Sequence, residues 1–241
     1  MTVRERSAGL LRFVRHSTRF PAALWYLALD AGQRRDHSAL AVLCLDWVAH
    51  GQCRITYEHL FEPKLEIRFL KRFPIGLSYE KLYELLKDRL QELDPALKLR
   101  AKQLIIDAGG PGPPLVDRLR ANLSKHVTIK PVIITGGKGA NTLTGGYTGV
   151  PRRTIVSNLQ LLLAAKTLKC DTTLDGWSLL KEELLELSGN DTQPADNGAH
   201  DDLAIATGLA AWAAATDFPE LLPEADGEIV RRGPNGGGPL F

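Results

Sequence analysis

Three apolar stretches of this chain meet acidic residues at one end. Asp30 ends the first stretch, Asp107 ends the second, and Asp201 with Asp202 opens the third, which is rich in alanine. A strand that ends in aspartate holds the carboxylate at the edge of the core, so several such ends side by side form a pocket for a hard divalent cation. Such cations support phosphodiester hydrolysis. These four acids are therefore candidate metal ligands and catalytic residues.

Each acid also has a purely structural interpretation. Asp30 could form a turn by bonding local backbone amides, and Asp201 and Asp202 could be first-turn acids that complement a helix dipole. The glycines after Asp107 would let a phosphate backbone approach closely, which favours a functional role.

Adjacent acids repel each other, and a bound cation would relieve that repulsion. Successive helix residues point about 100° apart, so we expect only one of Asp201 and Asp202 to bind a metal directly. The other would serve a second metal or support a ligand.

Composition limits the class of protein. With 241 residues, 44% hydrophobic and 24% charged, the chain is typical of a globular protein of one domain. No apolar run approaches the roughly 20 residues needed to cross a bilayer, and no signal segment follows the basic N-terminus, so we expect a cytoplasmic protein. Three widely spaced cysteines argue against a disulfide framework or a zinc cluster. The net charge of +2 means that any nucleic-acid affinity must come from local patches.

The order of predicted elements indicates an α/β fold. Residues 24–30, 39–47 and 53–59 read as three strands of an antiparallel meander. A helix starts after Ser78 and closes at Asp94 and Pro95, where its apolar stripe ends.

A strand, helix, strand sequence follows, which predicts a parallel pairing. Its segments are 104–107, about 115–122, and 131–135. Residues 136–149 are an irregular loop or a hairpin, and three further helices are predicted at 151–163, 177–187 and 200–215. We therefore predict a mixed five-stranded sheet flanked by helices.

The composition of the two ends of the chain indicates the domain organisation. Residues 1–22 read as an N-terminal extension and 23–216 as the folded domain, whereas 217–241 form a flexible tail rich in proline and glycine.

Other residues near the acids are candidates for supporting roles. His200 could orient a carboxylate or protonate a leaving group, although helix capping is its simpler role. Asp36 could support the site, although local bonding in a loop is the simpler interpretation. Basic and aromatic residues around the pocket could grip DNA phosphates without reading sequence. These are Arg34, Arg35, Lys138, Tyr147, Arg152 and Arg153.

Taken together, the acidic motifs resemble the nuclease domain of phage large terminase subunits, which belongs to the ribonuclease H-like superfamily. The motifs are Asp30-Ala31-Gly32 with Asp36 and Ser38, Ile106-Asp107-Ala108-Gly109-Gly110, and His200-Asp201-Asp202-Leu203. The resemblance implies a two-metal endonuclease that uses Mg²⁺ or Mn²⁺. Asp30, Asp107 and one or both of Asp201 and Asp202 would be the ligands, and double-stranded DNA the substrate.

We do not expect the motor activity of full-length large terminase subunits, which carry an ATPase ahead of the nuclease, because no P-loop motif is found in the sequence. The loop 135–141 does not have the spacing of a nucleotide-binding P-loop. A packaging ATPase, a small terminase subunit or a portal would then be separate partners, in the host cytoplasm if a phage or prophage encodes the protein.

Three alternatives stay open. One is a structure-specific resolvase of the same superfamily, which would prefer four-way junctions. The second is a nucleic-acid-binding or assembly protein whose catalytic site has decayed. The third is a sugar or acetate kinase-like fold, which would demand nucleotide binding and a longer chain for its two lobes.

Overall fold

The computed structural model describes residues 3–7, 10–17, 23–32, 36–52, 55, 57, 59–97, 102–109, 112–137, 139–189 and 201–223. Its strands are β1 (Val3–Ser7), β2 (Leu10–Ser17), β3 (Leu24–Asp30), β4 (Ala39–Gln52), β5 (His59–Arg72), β6 (Lys102–Asp107), β7 (Thr128–Thr135), β8 (Asn141–Leu143), β9 (Tyr147–Pro151) and β10 (Leu168–Cys170). Its helices are α1 (Tyr79–Leu97), α2 (Gly112–Leu123), α3 (Arg152–Ala164), α4 (Trp177–Gly189) and α5 (Asp202–Asp217).

Within these ranges, the strands form one mixed sheet. Its order is β1-β2-β5-β4-β3-β6-β7-β9-β8, and β10 pairs with β5. The pairs β3–β4 and β4–β5 are antiparallel, whereas β3–β6, β6–β7 and β7–β9 are parallel. This arrangement confirms the predicted mixed α/β fold, with further strands added at both edges of the predicted five.

Alternation along β3 divides the core between the two faces of the sheet. Tyr26 and Ala28 pack on the face covered by α3, α4 and α5, whereas Leu27 and Leu29 pack on the face covered by α1 and α2. This is the period of two that strand geometry imposes. The acidic end of β3 therefore projects from a strand that is buried on both sides.

Helix α5 lies in the centre of its layer. Every residue from Asp202 to Ala215 is buried, and small alanine side chains allow close packing on the sheet. A Cβ atom added at Gly208 would lie 2.6 Å from Cγ2 of Ile155, so this glycine permits α3 and α5 to approach. At its C-terminal end, α5 is tied to β3 because the Tyr26 hydroxyl donates to Asp217 at 3.0 Å.

The third strand differs from the prediction. Strand β5 begins at His59, where the predicted strand 53–59 ends, and residues 53, 54, 56 and 58 lie outside the described part of the chain. Ile55 is in a turn and Tyr57 has a φ of 57°, which is incompatible with a strand. The reason is that β4 continues to Gln52 and pairs with β5 along most of its length. Charged and buried residues alternate from Lys64 to Arg68, which is the period of a strand, so this signal was available and the sequence analysis missed it.

Other boundaries are closer to the expectation. Helix α1 continues past Pro95 to Leu97, and β8 with β9 forms the hairpin that was one of two alternatives for residues 136–149. The predicted extension contains β1 and β2, while the predicted tail beyond residue 223 lies outside the described residues. No helix in the described part of the chain has the length and apolarity to span a bilayer.

Candidate active site

The first two candidate acids stand side by side at the end of a parallel strand pair. Leu29 of β3 is the register partner of Ile106 of β6, and Asp30 and Asp107 are the next residues of their strands. Leu29 and Ile106 are fully buried. The sheet therefore presents both carboxyl groups at the same edge, immediately beyond the core, as the strand-end argument predicts.

Asp107 is fixed by backbone contacts in the turn that follows β6. Its Oδ1 atom accepts a hydrogen bond of 2.9 Å from the N–H of Gly109. Burial raises the pKa of the Asp107 carboxyl above its usual value, and the N–H groups of Gly109 and Ile134 oppose this rise. The carboxylate is thus held in one orientation by its own turn and by β7.

Asp30 is at the centre of the acidic cluster, which we define as Asp30, Asp107 and Asp202. Burial raises the pKa of Asp30 well above its usual value, and the negative charges of Asp107 and then Asp202 raise it further. The Arg152 guanidinium lowers the pKa of Asp30, whereas Asp36 raises it. Three carboxyl groups from β3, β6 and α5 therefore interact electrostatically.

The loop between β3 and β4 brings Asp36 back to this cluster. The N–H of Gly32 donates to Oγ of Ser38 at 3.1 Å, and Nδ1–H of His37 can donate to the carbonyl of Phe73 at 2.7 Å. A Cβ atom at Gly32 would lie 2.1 Å from the His37 carbonyl oxygen, so only glycine fits this tight loop. Asp36 itself is exposed.

The two adjacent acids at the start of α5 have different surroundings. Asp202 is the first residue of the helix and only 9% exposed, and its charge acts on Asp30. Asp201 precedes the helix, is partly exposed and forms an ion pair with Arg152, the first residue of α3. Asp202 is therefore the acid that joins the cluster, and Asp201 is the acid that anchors Arg152.

Glu183 of α4 was missed by the sequence analysis. It is 2% exposed, its Oε2 atom accepts a hydrogen bond of 2.8 Å from the N–H of Ala204, and its Oε1 atom lies 3.6 Å from Nη1 of Arg72. Burial, followed by the charge of Asp202, raises the pKa of Glu183 to about 7, against the opposing effects of Arg72 and of the Ala204 and Leu203 N–H groups. The available signal was its helical spacing from the buried Leu180.

The chemistry of the donors fits a hard divalent cation, because all three members of the cluster are carboxylates. Their mutual repulsion, which contributes to the raised pKa of Asp30, is what a cation would relieve. Among the described residues, however, no group of three or more His, Cys, Asp or Glu side chains is arranged to hold a metal ion. The cluster is suited to a cation by the chemistry of its donors and by their charge.

Other predicted site residues are placed as follows. Arg153 is exposed on α3, next to Arg152. Tyr147 begins β9 and lies under the guanidinium of Arg120, whose carbon is 5.6 Å from the ring centre. Four predicted residues lie outside the described part of the chain: Arg34, Arg35, Lys138 and His200.

Comparison with known proteins gives matches in structure and not in sequence. No protein-family profile matches the chain, and no curated protein matches it in sequence. The human cytomegalovirus terminase nuclease domain, solved after a Mn soak, superposes with a TM-score of 0.51 at 10% identity, covering 82% of this chain and 84% of that chain. The chain has the ribonuclease H-like fold of a terminase nuclease domain. This match confirms the fold that the sequence motifs implied.

A second ribonuclease H-like protein was also found. The structure of Thermus thermophilus RuvC matches with a TM-score of 0.35 at 12% identity, over 84% of this chain and 100% of that chain.

Proposed function

We propose that this protein is a divalent-metal-dependent endonuclease that hydrolyses phosphodiester bonds in double-stranded DNA. The observation that supports the proposal most is that Asp30 and Asp107 end neighbouring parallel strands at one edge of the sheet, and that the buried Asp202 of α5 interacts electrostatically with Asp30. The chain shares the fold of the human cytomegalovirus terminase nuclease domain. Burying like charges together destabilises a protein, so the arrangement is best explained by a role in binding cations.

The acidic cluster would hold two Mg²⁺ or Mn²⁺ ions. Such ions activate a water molecule and relieve charge on the leaving oxygen in phosphodiester hydrolysis. Asp30 and Asp107 are held by strand ends and Asp202 by a buried helix, so the protein fixes its ligands on rigid elements. Because burial favours the protonated form of Asp30 and Asp107, cation binding would displace protons from the cluster.

Basic residues beside the cluster would position the DNA backbone. Arg152 and Arg153 begin α3 directly after β9, the second strand of the β8–β9 hairpin. We propose that these arginines bind phosphates together with Tyr147 and with three residues outside the described part of the chain, Arg34, Arg35 and Lys138. Phosphate contacts carry little sequence information, so we expect cleavage with low sequence preference that weakens as salt concentration rises.

The biological role that we propose is cutting of concatemeric phage DNA during packaging. A packaging ATPase would drive translocation. A small terminase subunit or a portal would be further partners. The cytoplasm of a host cell is the compartment in which such an assembly would act.

Plasmid cleavage tests the proposal. Supercoiled DNA is incubated with the wild-type protein and either Mn²⁺ or Mg²⁺, beside Asp107→Ala and the control Asp117→Asn, an exposed acid on α2. We expect wild type and the control to nick and linearise the plasmid and Asp107→Ala to lose at least about a hundredfold in rate. Equal cutting by wild type and Asp107→Ala would show that Asp107 has no role in catalysis.

Two substrates separate the proposal from its alternatives. A four-way junction cut in preference to linear duplex would identify a resolvase and contradict the terminase-like activity. Binding of DNA without cutting under any metal would indicate a nucleic-acid-binding protein with an inactive site.

A further inference from the structure

The start of α5 receives its cap from another helix. The first N–H groups of an α-helix have no acceptor within the helix and must find one elsewhere. Asp201 occupies the position that usually supplies it, but its side chain makes no capping hydrogen bond and is ion-paired with Arg152. Glu183 of α4 supplies the acceptor instead, because its Oε2 atom lies 2.8 Å from the N–H of Ala204.

We propose that Glu183 is a positioning residue that fixes Asp202 within the acidic cluster. The carboxylate of Glu183 holds the first turn of α5, and Asp202 is the first residue of that turn. This inference rests on the proposed function, in which Asp202 is a metal ligand. Glu183 acts through Asp202 and is not itself a ligand, because its oxygen atoms face the Ala204 N–H and the Arg72 guanidinium.

The cost of this arrangement indicates a purpose beyond helix capping. A serine or asparagine placed directly before α5 would cap it at little cost, whereas burying a carboxylate requires charged partners and complete hydrogen bonding. Glu183 also stands near the like charge of Asp202. The Glu183 side chain connects α4 with both the first turn of α5 and Arg72 at the end of β5. The start of α5 is thereby held against elements on two sides.

Two substitutions distinguish positioning from other roles of Glu183. Glu183→Ala removes the acceptor, and Glu183→Gln keeps an amide oxygen that can accept from the Ala204 N–H. Tyr26→Phe is the matched control, since it removes the hydrogen bond to Asp217 at the opposite end of α5. It weakens the same helix without touching the cluster.

Calorimetric titration of the full chain with Mn²⁺ provides the main readout. We expect Glu183→Ala to weaken Mn²⁺ binding roughly 10- to 100-fold, the usual effect of losing a group that orients a metal ligand. Glu183→Gln should stay close to wild type, and so should Tyr26→Phe. Equal weakening by Glu183→Ala and Tyr26→Phe would overturn the inference in favour of a general structural role. Equal weakening by Glu183→Ala and Glu183→Gln would overturn it in favour of direct metal binding by the carboxylate.

Amide hydrogen exchange separates this inference from the proposed function. A wild-type protein that binds no Mn²⁺ contradicts the proposed function and is recognised without any variant. The exchange rates of the Leu203 and Ala204 amides then test the cap alone. Faster exchange in Glu183→Ala than in Tyr26→Phe supports the positioning of the α5 start, and unchanged exchange overturns it.

Discussion

Arg152, the first residue of α3, is ion-paired with Asp201, the residue immediately before α5. The two side chains are only about a quarter exposed, at 27% and 26%. The pair therefore joins the starts of two neighbouring helices beside the acidic cluster, and it places a positive charge close to Asp30.

The Arg152–Asp201 pair can be measured by a double-mutant cycle. We expect Arg152→Ala, Asp201→Asn and the double variant to give a coupling energy of about 1 kcal/mol, since the pair is partly screened by solvent. Arg152→Ala should be the more destabilising single change because it also removes a favourable charge near Asp30. Urea unfolding of the metal-free proteins provides the measurement. Additive single effects would show that the two side chains do not interact.

Glu183 should make stability depend on pH. The pKa of Glu183 is about 7 in the folded protein, above its ordinary value of 4.5. The folded state therefore binds this proton more tightly than the unfolded state does. A raised pKa of this kind contributes stability that is complete below pH 4.5 and lost as pH rises through 7. The loss due to Glu183 is on the order of 3 kcal/mol.

Urea unfolding of the metal-free protein at pH 5 and pH 8 tests this dependence. Glu183→Gln should flatten the decline between the two values, whereas the exposed Glu186→Gln should leave it intact. The same decline in wild type and Glu183→Gln would contradict the assignment to Glu183.

Asp30→Asn should stabilise the metal-free protein while abolishing metal binding. When ionised, the native Asp30 carboxylate is buried beside Asp107 and Asp202, and a neutral amide relieves that repulsion. We expect the free energy of unfolding at pH 8 to rise by roughly 1 kcal/mol. We also expect the increase in Tm that Mn²⁺ produces in wild type to disappear. Thermal unfolding with and without Mn²⁺ checks both effects, and a variant less stable than wild type without metal would contradict the first.

Gly208→Ala should destabilise the contact between α3 and α5. The new methyl group would lie 2.6 Å from Cγ2 of Ile155, a branched side chain with little rotational freedom in a helix. The steric cost, about 1–3 kcal/mol, exceeds the roughly 1 kcal/mol that alanine gains over glycine in a helix. Gly136→Ala is the control, since nothing lies within 4 Å of a Cβ atom there. Denaturant midpoints of the two variants measure the difference, and equal midpoints would contradict it.

Local sequence patterns were sufficient to find the strand ends and the buried helix. Asp30 and Asp107 follow short runs of apolar residues, and parallel pairing then places their carboxyl groups at one edge. The alanine-rich segment after Asp202 indicated close packing, which the burial of every residue from Asp202 to Ala215 confirms. These features depend on residues that are neighbours in the chain.

Features that depend on distant partners were not predicted. Glu183 lies 21 residues from Ala204, and nothing in the local pattern of α4 indicates that its carboxylate caps another helix. Burial of a charge by a distant partner is a tertiary effect, so sequence periodicity alone does not reveal it. Strand β5 is a different case, because the alternation of charged and apolar residues at Lys64, Leu65 and Glu66 is a local strand signal that the sequence analysis did not use.

Strand β3 and helix α5 interact at both of their ends, and the Tyr26–Asp217 hydrogen bond is one of these two contacts. Tyr26 meets Asp217 at one end, and Asp30 faces Asp202 at the other. Asp30 and Asp202 thus each belong to a regular, buried element and not to a loop, so their placement does not depend on the hydrogen bond at the far end. A substitution in a neighbouring loop should therefore alter what can approach these acids and leave their supports in place.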